Sequence, residues 1–116
     1  MRLDDREDFL KAFADWPGVS LVEQWGSLVA KVGDKTFCLR SEAEGAIAFK
    51  VSELAFDGLV ALPGITQAPY FAKRMWVRVA PGALEPALLA GYVEKSYQVV
   101  AASLTRKLRA ELGIAL

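Results

Sequence analysis

Apolar positions along the chain first recur at helical spacing, then alternate as in strands, and return to helical spacing near the end. The first segment, roughly Arg2 to Asp15, predicts a helix: Leu3, Arg6, Leu10 and Phe13 share one face, with Phe9 and Trp16 beside it. Asp4, Asp5 and Glu7 fall in its first turns, where carboxylates favour the helix dipole, and Pro17-Gly18 stops it. Val19–Glu23, Ser27–Val32, Lys35–Arg40 and Gly45–Lys50 then read as strands. Gly33-Asp34 joins the middle two, and Gly at its first position suits a type II′ turn. Unbroken alternation from that turn sets Val32 opposite Lys35, Ala30 opposite Phe37 and Leu28 opposite Leu39 on the core face. Val29, Lys31, Thr36, Cys38 and Arg40 then take the more polar face. Ile47 and Phe49 share one side of the fourth strand.

Ser52 is a good N-cap for a helix over Glu53–Ala61, buried through Leu54, Leu59 and Leu62 and ended by Pro63-Gly64. Stretches around Thr66–Tyr70 and Met75–Val79 read as a second hairpin, with Lys73 and Arg74 in its connection. A long helix begins near Leu84. Its stripe is Leu88, Tyr92, Ser96, Val99 and Leu104, widened by Leu89, Val93 and Val100. On it Tyr92 is expected in the core and Tyr97 at its edge. Thr105 caps a short further turn reaching Glu111, and Gly113 suits a helix C-terminus. The order α-β-β-β-β-α-β-β-α predicts an α+β fold: an antiparallel sheet with helices before, between and after its strands.

A chain of 116 residues, 53% apolar and 24% charged, fits a single domain over residues 1–116. Net charge is zero, yet it is unevenly spread. Residues 1–69 hold seven basic and eleven acidic side chains, and residues 70–116 hold seven and three. Cys38 is the single cysteine, which excludes an intramolecular disulfide and fits a reducing compartment. The start of the chain lacks the apolar stretch of a signal peptide, and no run suits a bilayer, so a cytoplasmic location without membrane contact is expected. Histidine is absent, which removes the usual general base, the Ser-His and Cys-His pairs and the His-rich zinc sites. A non-enzymatic protein with no cofactor is expected.

Three stretches carry a resemblance to the MmcQ/YjbR family of small bacterial proteins. They are Pro17–Val19 with the Trp25–Arg40 hairpin, Leu62–Ile65 with the PYFAKRMWVRV segment, and Glu94–Arg109. The resemblance implies a frataxin/CyaY-like fold and a double-wing surface of the kind labelled DNA-binding. Phe71 and Met75 stand where the family commonly has histidine, and Thr105 where it has proline.

Lys73, Arg74, Trp76 and Arg78, with Arg106, Lys107 and Arg109, are the candidate nucleic-acid-binding residues: cations for phosphates around an aromatic platform. The same pattern also describes a solvated hairpin connection with Trp76 in the core. DNA, contacted through its backbone, is the leading expected partner. A protein-interaction module is the alternative. A weak metal site on Asp4, Glu7, Asp8, Lys11 and Asp15 is a third reading, set against an ordinary solvated helix face. Cys38 reads as a small hydrophobe rather than a redox thiol.

Overall fold

The computed structural model describes residues 1–115. Its order is α1 (Arg6–Ala12), β1 (Val19–Gln24), β2 (Ser27–Val32), β3 (Lys35–Ser41), β4 (Ile47–Lys50), α2 (Glu53–Val60), β5 (Ile65–Gln67), β6 (Trp76–Val79), α3 (Pro86–Ala102) and α4 (Arg106–Leu112). The strands form one antiparallel sheet in the order β1-β2-β3-β4-β6-β5. This is the expected α+β class, with the turn after Thr105 grown into a helix of its own. Among the described residues, no helix is long and apolar enough to cross a membrane.

All four helices pack on one face of the sheet. Phe9 and Phe13 of the first segment, Phe56 and Leu59 of α2, Leu89, Val93 and Val100 of α3, and Leu108 and Leu112 of α4 meet Leu28, Ala30, Val32, Ile47, Phe49, Val77 and Val79 in one core. Phe13, Trp16, Phe37 and Tyr97 form an aromatic group at one end of it, with Phe13 edge-to-face on Trp16 and Phe37, and Trp16 stacked on Phe37.

The helix limits and faces differ from expectation for identifiable reasons. Asp5 accepts a hydrogen bond from the Asp8 N–H, so α1 starts at Arg6. Asp4 instead accepts from the Gly82 N–H at 2.9 Å. With only seven residues, α1 buries the Phe9 side, and Leu10 is exposed. On α2, Phe56 and Leu59 are buried while Leu54, and Leu62 beyond the helix end, are exposed. On α3 the stripe is rotated: Leu89, Val93, Ser96, Tyr97, Val100 and Ala101 are buried, and Leu88 and Val99 are exposed. Tyr97 is buried because its hydroxyl donates to the Pro17 carbonyl at 2.7 Å. Tyr92 is half-buried and stacks on Phe49.

The main correction concerns β3. The β2–β3 turn has positive φ at both Gly33 and Asp34, which is type I′ geometry rather than type II′. Val32 pairs with Lys35 and Lys31 with Thr36, but Ala30 pairs with Cys38, not with Phe37. Phe37 is therefore an extra residue, a β-bulge. Past it the parity of β3 reverses: Phe37 and Cys38 both enter the core on the helix side, and Leu39 moves to the opposite face. Val29 now faces Leu39, and Leu28 faces Arg40.

A bulge interrupts the ladder and leaves backbone groups to be satisfied elsewhere. Ser96 of α3 does this. Its hydroxyl donates to the Phe37 carbonyl at 2.7 Å and accepts from the Lys50 N–H at 3.0 Å. Ser96 is 1% exposed, so water cannot replace it. Replacing Ser96 by Ala should lower unfolding free energy by about 1–3 kcal/mol, the cost of unpaired buried groups. Urea unfolding of the variant checks this; an unchanged midpoint would mean the bulge does not depend on the hydroxyl.

Candidate ligand-binding groove

The face of the sheet away from the helices carries the most distinctive surface. One cross-strand row runs over it through all six strands: Val22, Val29, Leu39, Ala48, Arg78 and Thr66. Small side chains beside that row, Ser27, Ser41, Ala46 and Ala68, keep the surface low, and a groove of about 720 Å³ lies over its Leu39, Ala48 and Arg78. That is the size range of small-molecule sites. Trp25, from the β1–β2 turn, bounds the groove on one side. Pro69, Tyr70 and Phe71, from the β5–β6 connection, bound it on the other. These two segments come from opposite ends of the strands and from opposite edges of the sheet.

Both bounding aromatics are exposed and both have unfavourable backbone. Trp25 is 71% exposed with φ 55°, and Tyr70 is fully exposed with φ 70°. A bulky side chain at positive φ costs roughly 1–2 kcal/mol, and neither ring returns that through burial. Such residues cluster where a surface binds something. The connection holding Tyr70 is ordered by Gln67. Its side-chain N–H groups donate to the carbonyls of Ala68, Phe71 and Ala72, and its side-chain oxygen accepts from the Arg74 N–H. Underneath, Phe71 stacks on Trp76 with ring centroids 4.2 Å apart, and Ala48, Ala68 and Trp76 form a second small core. Beyond Trp25, the side-chain oxygen of Gln24 is buried and accepts no hydrogen bond among the described residues.

Arg78 is the charged member of the lining. It is half-buried, and Nη2 donates to Glu44 on the β3–β4 connection. Glu44 itself is mostly exposed. Among the described residues this is the one side-chain hydrogen bond that Arg78 makes, which leaves other guanidinium N–H groups of this lining residue without a protein partner.

The other candidate residues are distributed over separate elements. Trp76 is 7% exposed and belongs to the small outer core, while Val77 and Val79 enter the main one, so β6 is buried on both faces. Lys73 and Arg74 are exposed in the β5–β6 connection, and Arg74 pairs with Asp57 of α2 at 3.0 Å. That carboxylate pushes the Arg74 pKa up. Arg106 and Lys107 are exposed on α4, whose Leu108 packs beside Gly33 and Leu112 beside Gly18. Arg109 donates to the Ala102 and Leu104 carbonyls and so closes the end of α3. Cys38 is fully buried in the core, and burial pushes its thiol far above the ordinary range. Of the acidic residues on α1 and around it, Asp4 and Asp8 both bond Arg2, and among the described residues no three His, Cys, Asp or Glu side chains come together as a metal site.

A family model described as YjbR matches residues 14–99. The chain belongs to the YjbR family. No curated protein matches it. Solved structures that share the YjbR chain's fold include the following two. The crystal structure of the Deinococcus radiodurans protein DR2400, which carries a DUF419 domain, matches with a TM-score of 0.84 and 24% identity over 94% of this chain and 88% of that one. A Pseudomonas syringae protein matches with a TM-score of 0.69 and 21% identity over 83% and 98%. At these identities the likeness establishes the fold and leaves the groove to be argued from its own residues.

Sequence reasoning placed Arg78 among the candidates but missed Trp25 and Tyr70. The available signal was an aromatic residue inside each connection, at Trp25-Gly26 and Pro69-Tyr70, where burial could not explain it. Substitution separates the two kinds of aromatic. Trp76→Ala should cost about 3–5 kcal/mol. Trp25→Gly and Tyr70→Gly should leave the unfolding midpoint unchanged or raised, because glycine accepts positive φ freely. Thermal melts of the three variants check this; a large loss in either glycine variant would make that ring structural.

Proposed function

We propose that this YjbR chain is a non-enzymatic binding domain that takes its ligand on the helix-free face of the sheet, between Trp25 and Tyr70. The observation that carries the reading is the pairing of a preformed, mostly apolar groove with two exposed rings held at positive φ. Rings that add little to the core and sit on costly backbone are expected where they contact something else. Two features support the non-enzymatic part. The chain has no histidine, and its one thiol is buried away from the groove. A cytoplasmic location agrees with a single buried, unpaired cysteine.

Contact with a DNA backbone is the second reading. Exposed Lys73, Arg106 and Lys107, which pair with no acid among the described residues, favour it. It is weakened by the internal commitments of Arg74 and Arg109 to Asp57 and the end of α3. Phosphate contact by this set is weak and tolerant of sequence, because its members are spread over the β5–β6 connection and α4 rather than along one element that enters a groove of the duplex.

Two experiments run side by side divide the readings. Amide chemical-shift mapping with a fragment library should perturb Trp25, Ser41, Ala48, Tyr70 and Arg78 together. Perturbations confined to other surfaces would reject the groove. In parallel, titration with single-stranded and duplex DNA over a salt series tests the backbone reading. If DNA binds, the Lys73→Ala/Arg74→Ala double variant should flatten the salt slope by about one unit per lost contact. An unchanged slope in the folded double variant would remove those residues from the interface.

A further inference from the structure

We infer that the groove selects a planar aromatic carboxylate, which lies over the small-residue floor and places its anionic group on Arg78. The inference rests on the groove being the binding surface and adds the chemistry of what it takes. Shape comes first. Ala46, Ala48 and Ala68 rise little above the sheet, and the exposed faces of Trp25 and Tyr70 stand at the two sides. A flat apolar body covers such a floor and can stack on a ring at its side, and stacking contributes beyond the area it buries. A branched aliphatic body would touch the floor at fewer points.

Charge comes second. Arg78 is the charged residue of the lining, and it lies in the cross-strand row next to Ala48. Its guanidinium keeps donors beyond the one given to Glu44, arranged as a planar fork that suits a carboxylate. Glu44 is exposed on a connection between strands, so it can swing away, and while present it repels a second negative charge. One arginine with one neighbouring carboxylate therefore fits a singly charged carboxylate better than a doubly charged phosphate.

The test uses 2-naphthoate, its neutral analogue 2-naphthamide and 2-naphthyl phosphate, titrated into the whole chain and followed by calorimetry and amide chemical shifts. Wild type should bind 2-naphthoate about tenfold more tightly than the amide, the scale of one charge-assisted hydrogen bond. The phosphate should bind more weakly than the naphthoate. Arg78→Gln should abolish the preference for the naphthoate over the amide. Glu44→Gln, a change at an exposed side chain, should tighten naphthoate binding and leave the amide unchanged. Equal affinity for naphthoate and amide, with both still perturbing Trp25 and Tyr70, would overturn the carboxylate selection while leaving the groove as the binding surface. Tighter binding of the phosphate would overturn the single-charge assignment. Failure of all three probes to perturb the groove at millimolar concentration would overturn the inference together with the reading it rests on.

Discussion

The Ser96 hydroxyl joins α3 to the two strands at the middle of the sheet, and the rest of the structure depends on that junction. It donates to the carbonyl of the bulged Phe37 and accepts from the Lys50 N–H at the end of β4. Without a partner those two groups would be buried and unpaired, and the extra residue in β3 would be costly. With it, Phe37 and Cys38 both turn into the helix-backed core, and Leu39 turns out. A single inserted residue thereby sets which side chains of β3 serve the core and which serve the open face.

The two faces of the sheet consequently serve different ends. The helix side is closed by Phe9, Phe37, Phe49, Val77, Val93 and their neighbours, all close to fully buried, and supplies the stability. The other side is paved with alanine and serine, propped at one edge by the Phe71–Trp76 stack, and bounded by rings that remain in solvent. The strained backbone at Trp25 and Tyr70 is tolerable because the sheet and the Gln67 bonds fix the segments that carry them. Stability on one face permits cost on the other. Membership of the YjbR family agrees with this two-layer build, since the solved relatives share it over most of their length.

Much of this was legible in the residues. Alternation located β1 to β3 to within a residue, Ser52 and Thr105 are the N-caps their types suggested, and Gly113 closes α4 in the left-handed conformation. The element order and the family resemblance both pointed to the observed α+β sheet. The bulge was not legible, because alternation counts residues and cannot see an extra one. The adjacent apolar pair Phe37-Cys38 is compatible with either register. Losing the register misplaced Leu39 and Cys38, and with them the floor of the groove. The stripe of α3 was misread at Leu88 and Val99, which are exposed, and at Tyr97, which is buried with a hydrogen bond from its hydroxyl to the distant Pro17 carbonyl that periodicity does not encode. The basic candidates were found by charge, but charge alone does not reveal that Arg74, Arg78 and Arg109 already have partners.

The account stands on the reversal of parity at Phe37, and thiol accessibility reads that reversal directly. Cys38 in the native chain should resist a thiol-reactive dye until the protein unfolds, since it is fully buried on the helix side. A Leu39→Cys variant in a Cys38→Ala background should react in the folded state, because position 39 lines the open groove. Rapid labelling of native Cys38 with protection at position 39 would contradict the bulge, and the groove floor built on it would have to be abandoned.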